Sequence, residues 1–145
     1  TLWHSSAASD VYKRQATGEP LIADGSIDVV LSNCVLNLVN PSARDRLLAN
    51  IRRVLAPGGR VAISDIVCDQ VVPLRLQQDP DLWSGCISGA WQEQAFLEAF
   101  EALGFEQVRY ADRSEQPWRV VEGIEFRAVT LVGALPSEGQ RSSCC

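Results

Sequence analysis

The segment that decides the fold spans residues 27–67 and reads IDVVLSNCVLNLVNPSARDRLLANIRRVLAPGGRVAISDIV. Its first seven residues, Ile27–Asn33, form a short apolar run rich in β-branched residues, which is typical of a strand buried on both faces of a parallel sheet. Asn40-Pro41 predicts a helix start, with Asn40 as the N-cap. Pro57-Gly58-Gly59 predicts the end of that helix and a turn. A second apolar strand is expected from Arg60 to about Val67.

The sequence on the C-terminal side of this segment continues the alternation of strands and helices. Asp69–Trp91 is irregular, and a helix is predicted over Gln92–Leu103. Phe105–Ala111 and Ile124–Val132 alternate enough to be two strands, antiparallel to each other. Strands that alternate with helices predict an α/β fold with a parallel, helix-covered sheet. No Gly-x-Gly-x-x-Gly turn follows any strand, so we expect only the second half of a Rossmann-like sheet, ending in an antiparallel strand pair.

The two ends of the chain differ from this pattern. Residues 1–15, TLWHSSAASDVYKRQ, show neither the helical nor the strand period of apolar residues. We expect them to be a non-native or disordered leader. Residues 16–133 would then be the C-terminal part of a domain. Residues 134–145 are rich in Ser, Gly and Pro and predict a disordered tail. The chain contains no methionine, which favours a fragment of a longer reading frame.

The composition narrows the classes of function. With 46% hydrophobic and 21% charged residues the chain resembles an ordinary globular domain. Its formal charge of −5 argues against a nucleic-acid partner. No run approaches the ~20 apolar residues of a membrane span, and no secretory signal is evident, so we expect a cytoplasmic protein without a membrane partner. His4 is the single histidine, which argues against histidine triads and His-rich zinc sites.

The cysteines suggest where chemistry takes place. Ligands of open parallel sheets bind outside the carboxyl ends of the strands, and the first strand ends at Ser32-Asn33-Cys34. Cys86 lies between Gly85 and Gly89, in a loop able to fold over the same edge. Two thiolates and no imidazole favour a soft, thiophilic centre such as trivalent arsenic.

Each cysteine also has a simpler interpretation. Cysteine is often buried as a small hydrophobic residue. Such burial is about as plausible as a functional role for Cys34, and somewhat less plausible for Cys86. Burial or an incidental rim position is favoured for Cys68. Cys144 and Cys145 fit an unstructured tail better than a ligand pair.

Two stretches of the sequence resemble class I S-adenosylmethionine-dependent methyltransferases. They are Glu19–Val30, with its Asp24-Gly25-Ser26-Ile27-Asp28 core, and Arg53–Arg60, with its Arg-Val-Leu-x-Pro-Gly-Gly signature. The resemblance implies a seven-stranded Rossmann-like sheet in which Ile27–Asn33 is the fourth strand and the last two strands are the terminal hairpin.

Within that superfamily, Ser32–Leu38 and Asp79–Ala90 are similar to the two cysteine segments of arsenite methyltransferases. The resemblance implies that Cys34 and Cys86 bind arsenic and act in catalysis, and that Ser32 and Asn33 contact the methionine end of the cofactor S-adenosyl-L-methionine. It further implies a thiol reductant as a partner. Thiolate-held arsenic would attack the sulfonium methyl group, breaking the bond from sulfur to methyl and releasing S-adenosylhomocysteine, and catalysis would rest on proximity and orientation. The glycine-rich cofactor loop and a further cysteine, expected upstream, are missing.

Other functions remain open at this point. The chain could belong to a methyltransferase of small organic molecules in which both cysteines are incidental. It could be a non-catalytic thiol module that sequesters soft metalloid ions. An oxidoreductase on a Rossmann sheet is disfavoured by the Arg-Val-Leu-x-Pro-Gly-Gly signature. In all cases Ile27–Asn33 is expected to be an uncovered sheet edge that makes the isolated chain prone to aggregate.

Overall fold

The computed structural model describes residues 20–137, apart from the side chains of Trp83 and Ser84. The predicted leader over residues 1–15 and the tail from residue 138 onward lie outside the described residues. Within the described range the chain forms six strands, four α-helices and a 3-10 turn at Leu36–Leu38. The strands are β1 Ile27–Asn33, β2 Leu55–Cys68, β3 Trp91–Gln92, β4 Glu106–Arg113, β5 Arg119–Val121 and β6 Ile124–Ala134. The helices are α1 Pro41–Val54, α2 Leu74–Gln77, α3 Pro80–Ser84 and α4 Glu93–Glu101.

The strands form one mixed sheet with the order β1-β2-β6-β4. β1 and β2 are parallel, whereas β6 runs antiparallel to both β2 and β4. β3 continues the parallel pairing at the end of β2, and β5 pairs with the start of β6. The α/β class and the terminal antiparallel strand pair predicted from the sequence are therefore confirmed.

Helix α1 begins as its sequence predicts. The Asn40 side chain accepts a hydrogen bond from the Ser42 amide at 3.0 Å, and Pro41 occupies the first helical position, where its missing N–H costs nothing. Helix α4 is capped in the same way by Gln92, which accepts from the Ala95 amide at 2.9 Å. α4 ends at Glu101, two residues before the predicted end. Gly104, at φ +83°, turns the chain into β4.

Pro57-Gly58-Gly59 does not end helix α1, and this prediction was wrong. The helix ends at Val54, and β2 begins at once with Leu55, which is buried. Ile27 pairs with Leu55 and Val29 with Arg60, so residues 56–59 form a bulge within the strand. Gly58 has φ +75° and turns this bulge toward the segment that follows β6. The Gly58 amide donates to the Pro136 carbonyl there at 3.1 Å.

The chain also remains packed beyond the predicted domain end. Ala134 is the last residue of β6, and the buried Leu135 donates its amide to the Gly59 carbonyl at 2.8 Å. The first residues of the predicted tail are therefore held against the sheet, because the bulge at residues 56–59 supplies partners for this backbone.

Two apolar clusters form the core. The larger lies between α1, α4 and the sheet, and its phenylalanines pack edge to face, with Phe100 5.6 Å from both Phe96 and Phe105 between ring centroids. The smaller cluster lies beneath the loop that follows α3 and contains Cys68, Cys86, Ile87 and Phe126. Full burial of Ile87 alone contributes roughly 1.5–3 kcal/mol. The loop that carries Cys86 is thus anchored by an apolar side chain.

Strand β1 presents an open edge among the described residues. Its one pairing partner there is β2, and Leu31 on this strand is 73% exposed. An unpaired apolar edge is a template for pairing with another chain.

We expect Leu31→Lys to reduce self-association of the chain, because a charge at an open edge opposes edge-to-edge pairing. The unfolding free energy should stay within about 0.5 kcal/mol, since the position is exposed. Light scattering coupled to size exclusion, with thermal melting, measures both. Leu74→Lys, a 66% exposed site on α2, is the control that should leave self-association unchanged. A wild-type chain that is a monodisperse monomer with a sharp thermal transition would contradict this account.

Candidate functional site

The end of β1 brings the predicted site residues to the carboxyl rim of the parallel strands. Ser32 pairs with Ile63 and Asn33 with Ser64 of β2. The Cys34 amide then donates to the Ser64 carbonyl at 2.9 Å, which holds the first residue beyond the strand against its neighbour. Cys34 is exposed at this rim.

The second cysteine reaches the same place from a distant part of the sequence. The Cys86 Sγ lies 3.8 Å from the Cys34 carbonyl oxygen, and the Cys34 side chain is near enough to raise the pKa of the Cys86 thiol. Cys86 itself is 9% exposed. The structure therefore brings together the two cysteines that the sequence singled out.

Both cysteines adopt a backbone conformation that side chains normally avoid. Cys34 has φ +53° and Cys86 φ +59°, in the left-handed region. Such a conformation costs of order 1–3 kcal/mol at a residue other than glycine, and it is retained where the surroundings enforce it, often at functional sites. Here both residues lie where the two segments meet.

A buried asparagine links the two cysteine segments. The Asn37 side-chain amide donates to the Ile66 carbonyl at 2.6 Å and to the Cys86 carbonyl at 3.2 Å. Its backbone amide lies 3.3 Å from a carboxylate oxygen of Asp65. Asn37 is 1% exposed, so these bonds are made away from water.

Helix α1 fixes the same loop from the other side. The Arg44 guanidinium donates to the Gly89 carbonyl at 2.5 Å and lies 4.9 Å above the ring centroid of Trp91. Gly89 must be a glycine for this approach, because a Cβ there would lie 1.8 Å from the Asn37 carbonyl oxygen. The close contact between the loop and the 3-10 turn thus depends on a missing side chain.

Burial determines the protonation of the groups around the site. It raises the pKa of the Cys86 thiol, and the neighbouring Asp65 carboxylate and Cys34 raise it further. Burial also raises the pKa of Asp65, although hydrogen bonds from Ile66 and Asn37 oppose the change. The free thiol of Cys86 is therefore held in its neutral form at neutral pH.

Cys68 lies outside the site. It is 1% exposed within the smaller core cluster, and its Sγ lies 3.2 Å from the Trp91 carbonyl oxygen. Burial raises the pKa of the Cys68 thiol to about 12. The interpretation of Cys68 as a buried residue fits this position. Cys144 and Cys145 lie outside the described residues.

Two cavities meet at the end of β1. One of about 110 Å³ is lined by Cys34 and Asp65 together with β6 residues, among them Thr130. The other, of about 360 Å³, is lined by Leu31, Ser32, Asn33, Ala62 and Ser64. Asn33 and Ser64 border both cavities, and the exposed Cys34 borders the smaller one.

Sequence reasoning missed part of this site. Asn37 and Arg44 were not singled out, Gly89 was considered only for the freedom of its loop, and Asp65 proves to be buried. The signal for Asn37 was its place between Leu36 and Leu38, an amide within an apolar segment. Between residues 20 and 137, no three His, Cys, Asp or Glu side chains form a group able to hold a metal ion. None of the helices in that range has the length and apolar character needed to cross a bilayer.

A family model described as a methyltransferase domain matches residues 11–104, and the chain belongs to this family. The class expected from the Arg-Val-Leu-x-Pro-Gly-Gly signature is therefore confirmed.

Within this class, the similar proteins include arsenite methyltransferases. The chain is 43% identical over 94 residues to the arsenite methyltransferase of Halobacterium salinarum, covering 65% of the chain and 24% of that protein. It is 37% identical over 90 residues to the human arsenite methyltransferase, covering 61% of the chain and 23% of that protein. These matches confirm the resemblance predicted from the two cysteine segments. The chain spans about a quarter of the length of these curated relatives.

A solved structure agrees with the sequence matches. An arsenic(III) S-adenosylmethionine methyltransferase from Chlamydomonas reinhardtii superposes with a TM-score of 0.69 at 30% sequence identity. The superposition covers 83% of this chain and 41% of that chain. The partial Rossmann-like methyltransferase sheet is thus confirmed.

We predict that Gly89→Ala lowers the unfolding free energy by about 1–3 kcal/mol, because the added methyl group forces the loop away from the Asn37 backbone. Urea denaturation measures this change. Gly85→Ala is the matched control, since a Cβ there meets no atom of residues 20–137 whose position is described closer than 3.7 Å. Equal stabilities of the two variants would show that the loop does not make the close contact described.

We also predict an order of alkylation by iodoacetamide at pH 8. The exposed Cys34 should react first, Cys86 more slowly, and Cys68 not at all in the folded chain, because burial raises the pKa of the last two thiols. Raising the pH toward 10 increases the thiolate fraction and should accelerate Cys86 while leaving Cys68 protected. Peptide mass spectrometry resolves the three sites. Labelling of Cys68 as fast as Cys34 would refute the assignment.

Proposed function

We propose that this chain is part of an S-adenosylmethionine-dependent arsenite methyltransferase in which Cys34 and Cys86 hold trivalent arsenic. The observation that carries the proposal is the convergence of two thiols, each on a left-handed backbone, at the carboxyl rim of the parallel strands. The similarity to arsenite methyltransferases supports it.

The neutral state of the Cys86 thiol suits the binding of arsenite. As(OH)₃ takes up two thiols by breaking two As–O bonds and forming two As–S bonds. Each thiol proton leaves with a departing hydroxide as water, so the thiols need not ionise beforehand. A raised pKa of Cys86 is therefore compatible with capture. The third position on arsenic would be filled by hydroxide, by a thiol reductant, or by a cysteine from the rest of the enzyme.

The lining of the neighbouring cavity supports a place there for the methionine end of the methyl donor. Ser32 and Asn33 offer polar groups at the rim, and Leu31 and Ala62 offer an apolar wall for a methionine chain. S-adenosyl-L-methionine, when bound, supplies an electrophilic methyl group on a sulfonium centre. In this proposal Ser32 and Asn33 hold its methionine end, and the main donor site belongs to the rest of the enzyme.

The residues of this chain then act by positioning. Arsenic held by sulfur keeps its lone pair, so methylation requires no general base. Catalysis depends on aligning that lone pair with the methyl group, and good alignment alone contributes up to roughly 7–11 kcal/mol. Reduced thiols are required, which a cytoplasmic location supplies.

The proposal is tested by arsenite binding to the chain with Cys144 and Cys145 replaced by serine. Cys34→Ser and Cys86→Ser should each weaken binding at least about tenfold, equivalent to 1.4 kcal/mol. The double variant should be little worse than either single variant, because one lost thiol already removes the chelate. Calorimetry provides the affinities, and Cys68→Ala serves as the control with wild-type affinity. Undiminished binding by the double variant would eliminate the arsenic site and favour an organic methyl acceptor.

A further inference from the structure

Near the thiol pair, the Asn37 side-chain amide has hydrogen-bond partners for its two donor hydrogens, but its acceptor oxygen has none among residues 20–137. Both hydrogens of the side-chain NH₂ group are donated, one to the Ile66 carbonyl and one to the Cys86 carbonyl. The side-chain oxygen, Oδ1, is buried and has no hydrogen-bond partner among residues 20–137. A buried acceptor without a partner costs about 1–3 kcal/mol.

This arrangement fixes the orientation of the amide. Rotation by 180° would place Oδ1 against two carbonyl oxygens, which cannot donate. The two carbonyls therefore select the observed orientation despite the cost at Oδ1. An unsatisfied buried group of this kind calls for an explanation beyond ordinary packing.

The two acceptors come from different parts of the molecule. Ile66 belongs to β2, next to the rim, whereas Cys86 belongs to the loop after α3. Asn37 itself follows Cys34 by three residues in the chain. One side chain thus ties the backbone of the second cysteine to the strand edge and to the segment of the first cysteine.

We propose that Asn37 is a positioning residue for the thiol pair: by holding the Cys86 carbonyl, it keeps the strained Cys86 backbone turned so that its thiol faces Cys34. This inference rests on the proposed function, and it deepens that function by assigning the geometry of the arsenic site to a residue that does not touch arsenic. Without the amide, the Cys86 carbonyl loses a fixed partner and the thiol loses its direction.

The inference is tested with dibromobimane, which becomes strongly fluorescent after it has bridged two neighbouring thiols. The chain carries Cys144→Ser and Cys145→Ser, so that bridging reports on Cys34 and Cys86. Asn37→Ala should lower the bridged fraction at least fivefold and raise the arsenite dissociation constant about tenfold, through loss of the hydrogen bond to Cys86. The rate of monobromobimane labelling at the exposed Cys34 should not change.

Asn50→Ala is the matched control, because the Asn50 amide donates within its own helix, to the Arg46 carbonyl. It should leave bridging and arsenite binding at wild-type values. Circular dichroism verifies that each variant is folded. Where Asn37→Ala does not fold, Asn37→Ser, which retains a hydroxyl donor, provides the test, with the same direction and a smaller change.

The outcomes separate this inference from the proposed function. Wild-type bridging in a folded Asn37→Ala or Asn37→Ser variant overturns the positioning role, whatever the arsenite affinity. Loss of bridging in the Asn37 variants supports the positioning role, even where the wild-type chain binds no arsenite. In that case the proposed function is refuted and the positioning role of Asn37 stands.

Discussion

The site depends on one contact between two loops that are about fifty residues apart in sequence. The turn after β1 and the loop after α3 meet closely enough for the Cys86 thiol to reach the Cys34 carbonyl, with both backbones in the left-handed region. Such strain persists only if other interactions outweigh it. Full burial of Ile87, the two hydrogen bonds of Asn37 and the contact of Arg44 with Gly89 provide that support. The thiol pair is therefore a product of packing around it.

The sheet determines where this pair can act. β1 and β2 are parallel, so their carboxyl ends share one edge, and Cys34 emerges from it directly. β6 inserts antiparallel beside β2 and supplies Thr130 and its neighbours as a wall of the smaller cavity. A second cavity borders Asn33 and Ser64 on the side of Ser32. A soft acceptor at Cys34 and a donor beside Ser32 would thus lie in adjacent spaces, which is what a direct transfer between them requires.

Much of this was predictable from local sequence. The β-branched run of β1, the Asn40-Pro41 helix start and the final antiparallel strands follow from backbone and capping preferences that act over a few residues. The bulge at residues 56–59 was not predictable in the same way, because Pro-Gly-Gly signals a turn without specifying which partner strand it bends against. Here the partner is the segment around Leu135, which follows β6 and lies about eighty residues later in the sequence. Within the site, the cysteines carried a chemical signal, whereas Asn37 and Gly89 acquire their roles through contacts that only the folded chain reveals.

The central claim is that one arsenic atom is shared by the thiols of Cys34 and Cys86. Arsenic K-edge X-ray absorption, measured on the chain with Cys144 and Cys145 replaced by serine and one equivalent of arsenite, tests it most directly. The account predicts two sulfur neighbours around arsenic, reduced to one in Cys34→Ser or in Cys86→Ser. A spectrum with only oxygen neighbours, or two sulfur neighbours that persist in both variants, would contradict it.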